Sequence, residues 1–304
     1  MRKIIAILIV VAAFVVSIAL QQMIGAPDDT ITPSVTTECT RLVSLSPGLT
    51  ETVFALGLGE RVAGVTRYCL YPPETQERTR VGGFLDPNYE AIVALRPGMV
   101  LVTPYQQELA ADLQRLGIAT FAVAQDSLAD IRESYRIIAG MCDCHEQAET
   151  LVAKLDAAID RMQTHRDEKA RPRVLMTTGR DVRSGTLDEV YAVGRDTFLD
   201  ELLTLAGGEN IAPGGALEYP ALSGEGILRL DPDIIIELVA DRQYDDTLEA
   251  RALEAWRALP TLRAAQENRI HVLFGAHLTV PGPRVVKTLD ALAQCLYADA
   301  DGAP

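Results

Sequence analysis

The hydrophobic pattern divides the chain into three zones. From Ile4 to Leu20 every position except Ser17 is apolar. From 21 to 38 the chain is largely polar, with Pro27, Pro33 and several Thr, and reads as a linker. Beyond that, short apolar runs alternate with segments that are apolar at three- and four-residue steps, the pattern of helices set between buried strands. Two stretches share one template. Glu90, Ile92, Leu95 and Pro97 precede the run Met99 to Val102, and Glu225, Ile227, Leu230 and Pro232 precede Ile234 to Ile236 at matching offsets. Each predicts a short helix, a Pro-marked turn and a fully buried strand. A repeat this widely spaced predicts two similar lobes rather than a solenoid.

In the first lobe, 39–144, strands are expected at 41–45, 61–66, 99–103 and 119–123, with helices at 50–58, 88–95 and 108–116. This alternation implies a parallel sheet in an α/β lobe. From 127 to 169 the pattern is helical, with a break expected near Gly140. Nothing interrupts it from Glu146 to Lys169, a rod of roughly 36 Å at ~1.5 Å per residue, long enough to span two lobes. A connecting helix over 145–170 follows, ended by Pro172. The second lobe, 171–298, opens with a strand at 173–177. A polar loop and a helix at 196–206 come next, then an irregular stretch to Pro220 and the second repeat. A helix at 248–258, a strand at 269–274 and a last helix from Arg284 to Tyr297 complete it.

Composition narrows the function. The chain has 304 residues, room for two lobes of roughly 100–150 residues. Its net charge of −14 argues against nucleic acid, which requires basic surface. Arg2 and Lys3 before the first apolar run mark a secretory signal or an N-terminal membrane anchor over 1–20. In either case the globular part is exported, as a periplasmic protein or one held at the outer face of the inner membrane. Five cysteines are an odd number for an exported protein and read as buried thiols with at most one or two bridges. Cys142-x-Cys144 is followed by His145, but no second ligand pair stands at zinc-like spacing, so no metal site is assigned.

Candidate chemistry is that of binding, not catalysis. Gly57-Leu58-Gly59 follows a helix, whereas a dinucleotide fingerprint follows a strand. No nucleophilic triad or paired carboxylates can be argued. Of four histidines, only His277 lies in a loop suited to a ligand. The aromatics are few but fall in strand-end loops: Tyr68, Tyr71, Phe84, Tyr105, Tyr219 and, by the same reading, Tyr191. Ligands of open α/β sheets bind at such ends, where rings can wall a pocket for a large, flat ligand. Packing within their own loops is the plainer role for these rings. Glu90 and Glu225 sit in the first turns of the repeat helices. A carboxylate there is favoured by the helix dipole, and the matched pair suggests a two-point contact with a symmetric partner.

Taken in order, Leu45-Ser46-Pro47, the helix from Glu51 to Leu58, Tyr71-Pro72-Pro73, Val81-Gly82-Gly83-Phe84, Asn88-Tyr89-Glu90 and Leu95-x-Pro97 resemble the first lobe of a known family. These are the helical-backbone periplasmic binding proteins of ABC importers for cobalamin, ferric siderophores and haem. Gly207-Gly208-Glu209-Asn210-Ile211, Asp231-Pro232-Asp233 and Pro281-Gly282-Pro283-Arg284 resemble the second lobe. The resemblance covers about 40 to 298. It implies a class III fold of two Rossmann-like α/β lobes on one rigid helix and capture of a metal chelate between them, with no enzyme activity or cofactor of its own. It also implies delivery to a permease dimer on which Glu90 and Glu225 dock. The Tyr68–Pro73 loop looks most like the cobalamin binders, which commonly carry Trp where this chain has Phe84 and Tyr219. Trp256, the single Trp, lies in a predicted helix away from the cleft. The expected ligand is a corrinoid, contacted by Tyr68, Phe84, Tyr105, Tyr191, Tyr219, His277 and Arg284. A ferric siderophore is the main alternative, with haem behind it. An anchored ligand sensor without a transport role is the alternative of another class.

Overall fold

Strand β1 (Leu42–Ser44) is buried at every position, as the centre of a parallel sheet requires. In the computed structural model, which describes residues 39–165, 171–187, 189–240 and 246–297, it pairs on both sides. The expected signal or anchor and the linker lie outside the described residues. The sheet runs β3 (Thr79–Arg80), β2 (Val62–Val65), β1, β4 (Met99–Val102), β5 (Thr120–Ala122), all parallel. The chain reverses its direction of travel across the sheet between β1 and β4. That switch point opens a crevice beyond the strands' carboxyl ends.

The helices follow their local signals. Helix α1 (Pro47–Ala55) begins three residues earlier than the apolar spacing indicates, because Pro47 occupies the first helical position. Helix α2 (Tyr89–Ala94) is the first repeat helix and α3 (Gln107–Arg115) covers β5. Helix α4 (Leu128–Cys142) carries a reciprocal cap between Ser127 and Asp130. It passes through Gly140 unbroken and ends at Asp143, which takes φ 56°. The expected break near Gly140 is thereby moved three residues, since Asp tolerates the left-handed conformation that stops a helix. Helix α5 (His145–His165) is the long rod, 21 residues or roughly 31 Å.

The second sheet runs β11 (Ile270–Phe274), β10 (Ile234–Val239), β6 (Arg173–Thr178), β7 (Val190–Ala192), β9 (Ala221–Leu222), with β8 (Glu209–Asn210) also on β6. Its core is parallel, but β7 runs antiparallel to both β6 and β9. The polar loop expected after β6 therefore contains a strand. Val190-Tyr191-Ala192 is too short to show an alternation. Helices α6 (Phe198–Ala206), α7 (Gly224–Leu230), α8 (Asp246–Arg257), α9 (Arg263–Gln266) and α10 (Val285–Tyr297) complete this lobe.

The repeat is structural. Asn88 and Ser223 each cap their helix by accepting from the amide three residues on, Ala91 and Gly226. Ile92 and Ile227 are both fully buried. Arg96 and Asp231 both turn left-handed, φ 45° and 41°, just before the proline. One apolar core runs from β1 and α4 through α5 to α6 and α10, and all described residues fall in one compact unit. A disulfide joins Cys39, just before β1, to Cys142 at the end of α4. Cys69, Cys144 and Cys295 are buried thiols.

Candidate functional site

Between the two sheets lies a cavity of about 230 Å³. Its first wall comes from the strand ends at the switch point. Ser46, Pro47 and Gly48 follow β1, Thr103 and Tyr105 follow β4, Gln125 and Asp126 follow β5, and Phe84 follows β3. The opposite wall is Asp196, Thr197 and Phe198 at the start of α6, Glu218 and Tyr219 before β9, and Thr279 to Pro281 after β11. The start of α1 and the loop after β11 come into close contact: a Cβ on Gly48 would lie 2.3 Å from the Pro281 carbonyl oxygen. Only glycine permits that approach.

Polar groups hold the rings in place. The buried amide of Gln106 donates to the Phe84 carbonyl at 2.6 Å and to that of Leu45 at 3.2 Å, while its oxygen accepts from the Thr103 amide at 2.9 Å. One side chain thus ties the Phe84 loop to the ends of β1 and β4. The Tyr105 hydroxyl crosses the cleft and donates to Glu218 at 2.6 Å. That bond, with burial and the nearby Asp126, Glu218 and Tyr219, pushes the Tyr105 hydroxyl above its ordinary range. Asp126 is also shifted upward, first by desolvation and then by the like charges of Asp130 and Glu218. Next in sequence to the lining residues Phe84 and Glu218 stand two exposed apolar side chains: Leu85 is 75% exposed and Leu217 69%. Their apolar surface is open to a ligand larger than the cavity.

The site residues expected from the sequence divide into two sets. Phe84, Tyr105 and Tyr219 share this cavity, drawn from both lobes. Tyr68, Tyr191, His277 and Arg284 are not among its lining residues. Tyr191 sits within β7, not in a loop, so its direction is fixed by pairing with Thr178 and Ala221. Tyr68 is exposed with Arg67 over its ring at 5.0 Å. Arg284 reaches across the lobes instead. Its guanidinium pairs through two bonds with buried Glu51, Nε to Oε2 at 2.8 Å, and stacks on Tyr71 at 4.1 Å. Burial raises the Glu51 carboxyl despite this partner. His277 packs against Gly275, and desolvation, with Arg284 and Lys287, holds its pKa below the usual value. Trp256 is fully buried in α8, its indole N–H donating to Glu237 at 2.8 Å within the Arg180–Glu237 ion pair. Glu90 and Glu225 are exposed at the second position of α2 and α7, and Glu225 pairs with Arg229 at 2.8 Å.

The sequence reading missed Gln125, Asp126, Asp196, Phe198 and Glu218. Asp126 was within reach, because it follows an expected strand and the strand-end rule applies to carboxylates as well as rings. Among the described residues, no group of three or more His, Cys, Asp or Glu could hold a metal ion, and no helix is long and apolar enough to cross a membrane.

The pattern of the periplasmic binding protein family matches residues 42–274. An uncharacterized ABC transporter substrate-binding lipoprotein of Bacillus subtilis is 28% identical over 270 residues, 85% of this chain and 80% of that protein. A vitamin B12-binding protein of Vibrio cholerae is 28% identical over 277 residues, 88% and 93% of the two chains. The crystal structure of the periplasmic vitamin B12-binding protein of Vibrio cholerae gives a TM-score of 0.73 at 22% identity, over 86% of this chain and 98% of that one. A periplasmic haem-binding protein of Roseiflexus gives 0.69 at 27% identity, over 85% and 98%.

Proposed function

The chain belongs to the periplasmic binding protein family, and from that premise we propose that it captures a cobalamin-type corrinoid in the cleft and delivers it to the permease of an ABC importer. It is a binding protein of a transport system, not an enzyme, of the kind that serves B12, haem or siderophore-type ligands. The observation that carries the corrinoid reading is the aromatic set Phe84, Tyr105 and Tyr219 converging on one cavity from two lobes. Rings placed so give apolar contact over a large area with little flexibility to lose. The cavity is smaller than the ~300–1,000 Å³ of typical ligand pockets. A chelate of corrinoid size would rest partly on the neighbouring Leu85 and Leu217. The Tyr105–Glu218 bond would then give way or tilt to admit it. Relatives named for vitamin B12 or cobalamin support the same ligand class.

Glu90 and Glu225 are proposed as the docking pair for the permease. They are exposed, one on each lobe, and occupy the same place in two copies of one structural unit. The ligand assignment is tested by calorimetric titration of the exported part with cyanocobalamin, haem and ferric siderophores. A corrinoid bound at micromolar affinity or better, about −8 kcal/mol, is the expected result. No heat with any corrinoid, beside tight binding of a ferric siderophore, would transfer the assignment to that class.

A further inference from the structure

We infer that the cleft selects its ligand by charge and by hydrogen-bond donors: it accepts a neutral or positively charged chelate rich in N–H groups and rejects an anionic one. The inference rests on the cavity of the proposed function, but not on the corrinoid being its occupant. No Lys, Arg or His stands among the lining residues, whereas Asp126, Asp196 and Glu218 do. Two basic groups beside the walls, Arg67 and Arg284, are committed elsewhere. Arg67 is bound by both oxygens of Asp86, and Arg284 by Glu51. Arg195, next to Asp196, is exposed and outside the lining.

Gln125 adds an independent signal. It is 3% exposed, and its amide nitrogen lies within bonding distance of the Thr52 and Ser134 hydroxyls. Its Oε1 has no hydrogen-bond partner among the described residues. A buried acceptor left unmet calls for a partner, which ordered water or an N–H of the occupant supplies once the wall admits it. The desolvation and like-charge crowding that raise Asp126 act in the same direction, since a cation or an N–H would relieve both. An anionic chelate would set its own oxygens against three carboxylates with no counter-charge supplied, which is discrimination by repulsion. A corrinoid presents a fringe of primary amides, whose N–H groups match these acceptors. Haem presents carboxylates, and a ferric tricatecholate a multiple negative charge.

The test holds the corrinoid skeleton constant and varies its charge. Aquocobalamin at mildly acidic pH is a cation, cyanocobalamin is neutral and sulfitocobalamin is an anion. Each is titrated into the exported part and into its Asp126→Asn/Glu218→Gln variant at low and high salt. Visible spectra check that the cobalt keeps its axial ligand. The expected order is cation, neutral, anion, with about fivefold between the ends, the upper value for one exposed charge contact. That ratio should shrink in the variant and in high salt. An anion that binds as well as the cation, or a ratio unchanged in the variant, overturns the inference. If no corrinoid binds, the proposed ligand falls, and the same order is read from cationic ferrioxamine B, neutral ferrichrome and anionic ferric enterobactin. Preference there for the cation sustains charge selection. Tightest binding of the tricatecholate or of haem, or no binding in either series, overturns it.

Discussion

At the scale of single residues, the cleft is built by side chains that hold other side chains. Phe84 lines the cavity, and Gln106 fixes its loop through bonds to the Phe84 and Leu45 carbonyls. Phe84→Ala and Tyr219→Ala should each cost at least about 2 kcal/mol of ligand affinity, the ordinary toll of removing a buried aromatic anchor. Titration of both variants checks this, and affinities within twofold of the parent would move the site elsewhere. Three of the four rings on the cavity, Phe84, Tyr105 and Tyr219, were legible in the sequence as aromatics of strand-end loops, whereas Phe198, at the start of a helix, was not. Arg284 was not. Its role depends on Glu51, more than two hundred positions away in the chain, and no spacing rule relates two such residues. Tyr191 was misplaced for a simpler reason: a three-residue strand shows too little alternation to be told from a loop.

At the scale of elements, the repeat was legible because it consists of local signals: a cap, a buried Ile, a Pro and an apolar run. The contact between Ser46-Pro47-Gly48 and the loop at Pro281 was not, since it is made only after two lobes have folded. That contact yields a sharp expectation. In Gly48→Ala the new methyl would stand 2.3 Å from the Pro281 carbonyl oxygen and 2.5 Å from Gln125 Oε1. One of these is backbone, so the lobes must part or the loop must shift, at about 1–3 kcal/mol for such overpacking. Denaturant melts should show that loss, with weakened ligand binding beside it. Gly224→Ala, whose new methyl meets nothing within 4 Å, is the control and should stay within about 0.5 kcal/mol. Equal stability of the two variants would show that the lobes do not touch there.

At the scale of the molecule, Glu90 and Glu225 place one exposed carboxylate on each lobe, the pair proposed to meet the permease. A permease dimer offers two equivalent surfaces, and contacts made together gain avidity over either alone. Charges at such a rim steer encounter and weaken with salt. Glu90→Arg combined with Glu225→Arg should therefore abolish transport and permease binding while leaving solution affinity for the ligand unchanged. Uptake that survives the double change, or ligand affinity that falls with it, would remove the pair from the docking role. The two-lobed plan itself was legible, because a repeat and a long uninterrupted helix are both patterns of the sequence. The covalent tie between Cys39 and Cys142 was not, since five cysteines permit many pairings. That tie has a mechanical consequence. A tension applied at the chain's beginning does not peel β1 from its sheet; it passes through the sulfurs to the root of the long helix. The bridge's ends are 103 positions apart in the chain, which corresponds to about 36 nm of fully extended chain at ~3.5 Å per residue. That slack stays out of reach of any force until a thiol opens the bond.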